Sequence, residues 1–319
     1  MIVAVTGGSG FIGRRLVLRH LAEGNTIRVL TRRKPNMAKF PNKVEVYYGD
    51  LTSDSLELVS FVDGVDLLYH CAAELKDASR MYSVHVQGTT NLLKAAVGRI
   101  GRWIQLSSVG VYGPHLSGVV TEETPLNPTG SYEKTKAESD CILLEAALNG
   151  AVKLSILRPS IVFGEDMANR SLFQLVSTIY KDFFFFIGKP GASANYIYID
   201  NVVEALVLCG HHPRAEGRVY NLSDRRTMEE FTSIIARNLE KSVPRLRVPE
   251  NLVRTVASLC GILPKFPLKK SRIDALTNRC IYNTDRIEKE LGYRHTVSME
   301  EGLARLVRHW KNTRKGMLT

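Results

Sequence analysis

A chain of 319 residues with 44% apolar side chains is large enough for one domain with an appended lobe, or for two domains sharing a cleft, and too apolar for wholesale disorder. The net charge of +11 (43 basic against 32 acidic residues) is scattered apart from small clusters at Arg32–Lys34, Lys269–Arg272 and Arg308–Lys315. No aromatic-interleaved basic run accompanies it, which argues against nucleic acid and for an anionic small-molecule ligand. Five widely spaced cysteines (Cys71, Cys141, Cys209, Cys260 and Cys280) form no Cys-x-x-Cys or Cys/His pattern, so neither a metal site nor a disulfide framework is expected and a reducing, cytoplasmic setting fits.

The first predicted strand is Ile2–Thr6, and no charged leader or transit stretch precedes it. Further strands are expected at Thr26–Leu30, Val44–Tyr48, Leu67–His70, Trp103–Leu106 and Leu154–Leu157. Helices are expected near Phe11–Glu23, Ser55–Val62, Met81–Arg99 and Ser131–Asn149. This βαβ alternation predicts an α/β fold: a doubly wound parallel Rossmann sheet with helices on both faces and a smaller C-terminal substrate lobe. Ile197–Ile199 and Val219–Leu222 read as returns to the main sheet. The dinucleotide-binding domain is therefore assigned to residues 1–163 plus about 195–224, and the lobe to about 164–194 and 225–319. The run Phe183–Phe186 reads as a buried strand or lobe packing rather than a ligand cage. No stretch of eighteen apolar residues exists, so no membrane span is expected. Asn251–Leu263 is too short and carries Arg254; it reads as a packed helix, with shallow membrane contact left open.

Thr6-Gly7-Gly8-Ser9-Gly10-Phe11-Ile12-Gly13 directly follows the first strand and opens a helix. Glycines are required there for a tight turn, for backbone approach to a pyrophosphate and for helix–strand packing, while the helix N-terminus offers free N–H groups to phosphate. Gly7, Gly10, Phe11, Ile12 and Gly13 are thus cofactor-binding candidates. The second strand ends in Leu30-Thr31-Arg32-Arg33, with no carboxylate for a ribose 2′-hydroxyl. Arg32 and Arg33 suit a 2′-phosphate, so NADP(H) is favoured, with NAD(H) the alternative. Asp50 in Gly49-Asp50-Leu51 can accept from an adenine amino group or serve a helix N-cap; Leu51 stands beside it.

Tyr132 and Lys136 lie at i and i+4, on one face of a helix. A free phenol, with a pKa of about 10, is a poor base, and a neighbouring ammonium together with a cationic nicotinamide would lower it. Ser108 closes the fifth strand, where it could hydrogen-bond the substrate oxygen or cap a turn.

Together the motifs resemble the extended short-chain dehydrogenase/reductases, specifically the NAD-dependent epimerase/dehydratase group. The resemblance runs through TGGSGFIG at Thr6–Gly13, GDL at Gly49–Leu51, HCAA at His70–Ala73, SSVGVYG at Ser107–Gly113, YEKTK at Tyr132–Lys136, LRPSIVFG at Leu157–Gly164 and YIYIDN at Tyr196–Asn201, and on to LGY…SMEEGL at Leu291–Leu303. It implies Ser108 as catalytic serine, Tyr132 as acid/base, Lys136 as its partner, and Ala72, Ala73 and Pro159 against the cofactor. It also implies a homodimer through the helices near Met81–Arg99 and Ser131–Asn149. The departures are informative. His85 replaces the family's asparagine and receives no catalytic role. Val109 and Gly110 replace the dehydratases' Asp-Glu pair, which argues against dehydration. Ile161 and Ala194 replace two anchors of a substrate diphosphate, for which Arg170, Arg225, Lys270 or Arg272 would have to compensate. The leading expectation is a nucleotide-sugar 4-epimerase or 4-ketoreductase. The second is a ketone reductase like the dihydroflavonol reductases and 3β-hydroxysteroid dehydrogenases, and the third a dinucleotide-binding protein without turnover.

Overall fold

The computed structural model describes residues 1–32, 40–53, 56–115, 117–260 and 270–315. Its centre is a seven-stranded parallel sheet made of β1 (Ile2–Thr6), β2 (Thr26–Thr31), β3 (Val44–Tyr48), β4 (Val65–His70), β5 (Ile100–Leu106), β7 (Leu154–Pro159) and β11 (Arg218–Leu222). The spatial order is β11-β7-β5-β4-β1-β2-β3. From β1 the chain winds outward through β2 and β3, then crosses to the other side of β1 to lay down β4. This reversal leaves a crevice at the carboxyl ends of β1 and β4, where an open α/β sheet binds ligands. The central strands are continuous apolar runs because both faces are covered; Val3, Ala4 and Val5 are wholly buried. On one face Leu16 and Val17 of α1 (Phe11–Ala22) pack with Val203 and Leu206 of α7 (Ile199–His211). On the other, Phe61 of α2 (Leu56–Val62), Leu92 of α4 (Gly88–Ala96) and Leu143 of α5 (Ser131–Leu148) close the second layer.

The helix expected over Met81–Arg99 begins earlier, at α3 (Ala78–Tyr82), and passes through a π-helical turn, Ser83–Gln87, into α4. Val219–Leu222 lies within β11 and pairs with β7. Ile197–Ile199 does not return to the main sheet. Ile197 lies in β10 (Ser193–Tyr198), which pairs with β8 (Ile161–Phe163) and β12 (Asp224–Thr227) in a separate three-stranded sheet, and Ile199 opens α7. The reason is aromatic: Tyr196 stacks on Phe231 at 4.6 Å, and both Tyr196 and Tyr198 meet Phe163 edge-on. That cluster, with α6 (Ser171–Tyr180), α8 (Met228–Asn238) and α12 (Met299–Lys315), forms the core of the lobe. The short strand β6 (Ser117–Val120) pairs with β14 (Arg279–Tyr282) beside it.

Of the phenylalanine run only Phe186 enters a strand, β9 (Phe186–Ile187), which pairs with β13 (Arg247–Val248). Asn251–Leu263 falls partly in α9 (Glu250–Cys260), followed after a gap in the described residues by α10 (Lys270–Thr277) and then α11 (Asp285–Leu291). Among the described residues no helix is long and apolar enough to cross a membrane, and Cys71, Cys141, Cys209 and Cys280 are free thiols.

Asn201, in the first turn of α7, fastens the lobe's return segment to that helix. Its Oδ1 accepts from the N–H groups of Thr296 (2.9 Å) and Val297 (3.0 Å), and its Nδ2 donates to Val297 O (2.8 Å). The side chain is fully buried, so its loss strands three backbone groups. Asn201→Ala is expected to lower unfolding free energy by about 2–4 kcal/mol, measured by urea denaturation, with an unchanged urea slope.

Candidate active site

The turn between β1 and α1 leaves no room for side chains. Gly7 has φ +69°, and a Cβ on it would lie 2.7 Å from the backbone of Cys71 and Ala72. A Cβ on Gly13 would lie 2.3 Å from Gly7 O, so the helix start can sit on the strand only as glycine. α1 thereby points its N-terminus, which carries no acidic residue in the first turn, along the crevice. The crevice is a cleft of about 630 Å³, and its walls include Gly7, Gly10, Phe11, Ile12, Gly13, Arg32, Asp50, Leu51, Ala72, Ala73, Ser108, Tyr132 and Pro159. The glycine cradle, the free helix terminus and the volume of this cleft fit a dinucleotide. Arg32 lies 3.8 Å from the Asp50 carboxylate at the second-strand end, both partly exposed. Asp50 Oδ1 accepts from Thr52 N and Oγ1, each at 3.0 Å, so this carboxylate fixes its own turn as well as facing the cleft. Arg33 lies outside the described residues. Thr6, Leu75, Val84 and Met167–Asn169 also line the cleft. Sequence reasoning missed them; Thr6 alone carried a signal, as the last residue of β1.

Ser108 and Tyr132 share the inner end of the cleft. Ser108 is extended, and its Oγ accepts from Gly110 N at 3.1 Å, capping the turn Val109–Tyr112. Lys136 does not line the cleft wall. It is buried behind it, its Nζ donating to Leu106 O at the end of β5 (2.7 Å). Burial pushes Lys136 down, opposed by Asp140 and Cys71. The Tyr132 phenol is pushed up to about 12, first by burial and then by the carboxylates of Glu133 and Asp140. The expected lowering joins the Lys136 ammonium to a cationic nicotinamide ring; the direction here is that of the protein alone. In the protein by itself burial sets the direction, and the phenol is neutral at ordinary pH.

Two buried polar systems hold these groups. In the first, His85 stands edge-on to the Tyr132 ring at 5.5 Å. Its Nε2 accepts from Glu74 N (2.8 Å) and its Nδ1 meets Thr135 Oγ1 (2.7 Å). Thr135 Oγ1 donates onward to Ser131 O, so Nδ1 carries the proton and donates. His70 meets Thr6 Oγ1 (2.6 Å) and Thr89 Oγ1 (3.0 Å), and Thr89 continues to Ser139 on α5 (2.9 Å). Burial and the Lys136 charge hold both imidazoles neutral, His85 at about 4 and His70 at about 3. In the second system Asp140 Oδ2 accepts from Ser107 Oγ (2.7 Å) and from Arg158 Nε and Nη2 (3.1 Å each). Arg158 Nη1 donates to Tyr112 OH, which donates to Asn221 Oδ1 at 2.8 Å. One carboxylate oxygen thus joins the ends of β5 and β7 to α5, directly behind Ser108, Pro159 and Tyr132. Neither system was read from the sequence.

A second cavity, of about 1050 Å³, meets the cleft at Ser108, Ser160 and Ile161 and extends into the lobe. Leu175, Phe183–Phe185, Tyr196, Met228 and Leu276 supply its apolar walls, and Gln174, Asn195, Asn278 and several hydroxyls a polar strip. Its charged lining residues are Glu133 and Arg272. Of the cations expected to compensate for lost phosphate anchors, Arg170 and Arg225 are exposed and do not line it. The group of metal-ligating side chains among the described residues, His20, Glu23 and His211, sits at the C-terminal ends of α1 and α7, away from both cavities' linings.

Comparison with known proteins agrees with this geometry. The sequence profile of the NAD dependent epimerase/dehydratase family matches residues 3–223. The chain is 26% identical over 347 residues to a 3beta-hydroxysteroid-dehydrogenase/decarboxylase isoform 1 of Arabidopsis thaliana, covering 95% of this chain and 78% of that protein. It is 27% identical over 322 residues to the N-acetyl-alpha-D-glucosaminyl-diphospho-ditrans,octacis-undecaprenol 4-epimerase of Escherichia coli O157:H7, covering 96% and 94%. Its fold matches the UDP-glucuronic acid 4-epimerase of Bacillus cereus in complex with NAD with a TM-score of 0.75 at 20% identity, covering 98% and 99% of the two chains. The chain belongs to the NAD-dependent epimerase/dehydratase family.

Proposed function

We propose that this protein is a nicotinamide-dependent oxidoreductase that interconverts a secondary alcohol and a ketone on a large, mostly apolar substrate of sterol or isoprenoid character. The observation that carries this is the lobe cavity: it adjoins Ser108, is walled by Leu175, Phe183–Phe185, Met228 and Leu276, and offers one cation, Arg272. A nucleoside diphosphate carries charge that needs several donors or cations to offset its desolvation. A sterol-like body needs apolar wall. The Arabidopsis relative, named for a hydroxysteroid, supports the same direction; the Escherichia coli relative, named for a polyprenol-linked diphospho-sugar, shares its apolar part and carries a diphosphate as well. A nucleotide-diphosphate sugar is the second reading. It is favoured by the polar strip of Gln174, Asn195 and Asn278, which suits sugar hydroxyls.

The bound nicotinamide ring would accept or supply the hydride. Ser108 hydrogen-bonds the substrate oxygen and fixes it at the junction of the two cavities. Tyr132, kept protonated by burial, donates its proton to that oxygen as a carbonyl is reduced, and recovers it when an alcohol is oxidised. Lys136, one helical turn from Tyr132, is held by Leu106 O behind the cleft wall and would have to turn from that carbonyl to reach the cofactor's ribose. Gly7, Gly10 and Gly13 receive the pyrophosphate, with Phe11, Ile12, Leu51, Ala72, Ala73 and Pro159 packing around the cofactor and Asp50 facing its adenine. For the cofactor we favour NADP(H), with Arg32 pairing the 2′-phosphate in place of Asp50.

Four measurements test this. Tyr132→Phe should lower kcat by about 10²–10⁴-fold while dinucleotide binding, read by fluorescence titration, is unchanged; unaltered turnover would leave a binding protein without catalysis. Arg32→Ala should raise the Kd for NADP+ about tenfold and leave that for NAD+ nearly unchanged; equal effects on both would remove the 2′-phosphate assignment. The reductive rate should stay flat from about pH 6 to about pH 9, because the donor phenol is neutral below its raised pKa and is lost only as the pH climbs toward it. The substrate class itself is read by thermal shift against a 3-ketosteroid, a farnesylated quinone and UDP-, GDP- and dTDP-sugars, each with NADP+. Stabilisation by the sugars alone would select the second reading.

A further inference from the structure

The part of the lobe built from β9, β13, α9 and α10 closes on a small apolar cluster of its own, Ile187, Val253 and Ile273. Even so, it leaves large apolar side chains in water. Phe183 is 73% exposed, Leu246 66% and Leu252 56%. α9 is apolar on two sides: Val253 and Ala257 pack inward, while Leu252 and Val256, one turn apart, face out. A helix wet on its outer side ordinarily carries polar residues there. Phe183 links this surface to the interior, because it is both solvent-exposed and part of the wall of the lobe cavity.

The charge around the patch is one-sided. Its acids are already matched: Asp182 pairs with Lys241, Glu229 with Arg247, and both Glu250 and Asp274 with Arg254. Lys181, Arg245 and Arg272 are exposed and make no ion pair among the described residues. Unmatched cations beside exposed apolar side chains are the pattern of a surface that meets an anionic lipid headgroup layer and inserts shallowly beneath it.

We propose that this face seats the protein on an anionic bilayer, with Leu246, Leu252 and Val256 in the headgroup–acyl boundary and Lys181 and Arg245 against lipid phosphates. Phe183 then stands where the cavity opens toward the acyl layer, and an apolar substrate passes between the two without crossing water. The inference rests on the apolar-substrate reading above for its purpose, but its binding claim is separate. A protein partner would cover the same patch, yet it would close the route that Phe183 opens.

The test is flotation of the full chain with vesicles of phosphatidylcholine alone or with phosphatidylglycerol. Binding is expected to the anionic vesicles, weakening with salt, and weakly or not at all to the neutral ones. The double variant Leu246→Asp/Leu252→Asp should lower partitioning about tenfold or more, with melting temperature and dinucleotide Kd unchanged. Lys181→Glu/Arg245→Glu should abolish the preference for anionic lipid. Absence of binding, or variants that bind like the parent chain, would overturn the proposal. So would a concentration-dependent dimer, seen by light scattering and dissolved by the Leu246→Asp/Leu252→Asp variant, which would assign the face to a second copy. Vesicle binding without turnover of any apolar alcohol or ketone would remove the substrate reading and leave the docking in place.

Discussion

One carboxylate oxygen organises the chemistry of this protein. Asp140 Oδ2 draws in Ser107 from the end of β5, Arg158 from the end of β7 and, through its own backbone, helix α5. Each of those elements carries a group of the proposed site one step away: Ser108 beside Ser107, Pro159 beside Arg158, and Tyr132 and Lys136 on α5. A buried ion pair adds little net stability over an apolar replacement, since desolvation offsets the attraction. Its value here is geometric. Removing either partner alone would leave an uncompensated buried charge among three elements that must meet within ångströms.

The second organising device carries no charge at all. The His70 and His85 imidazoles sit between the glycine turn and α5 and are kept neutral by burial and by Lys136. Because each ring is held by a donor on one side and an acceptor on the other, its tautomer is dictated by hydroxyls that have already committed their protons. The path Thr6–His70–Thr89–Ser139 therefore links the strand that precedes the cofactor turn to the helix that bears Tyr132 without placing another charge beside the phenol. The π-helical turn at Ser83–Gln87 is what brings His85 to the Tyr132 ring.

Much of this was legible in the sequence because it is local. The strand–glycine–helix unit from Ile2 onward is written in consecutive residues, and the i, i+4 spacing of Tyr132 and Lys136 places them on one helical face wherever that helix goes. The main sheet could be read from runs such as Ile2–Thr6 and Leu154–Leu157, whose apolar continuity reports cover on both faces. What escaped the reading is non-local. β10 has the composition of a main-sheet strand, and only its contacts with Phe163 and Phe231, more than thirty residues away on either side, divert it into the lobe. The Asp140–Arg158 pair looks in sequence like ordinary surface charge on a helix and a strand. The cost of burying the Tyr132 phenol likewise depends on what surrounds it, which spacing does not record.

The two cavities meet at Ser108, Ser160 and Ile161 and extend from that junction in different directions, one over the sheet and one through the lobe. If the cleft over the sheet takes the dinucleotide and the lobe cavity the substrate, as proposed, the two would arrive by separate doors, and neither would have to vacate its channel for the other to enter. A tightly held dinucleotide could remain seated through successive visits of the second molecule.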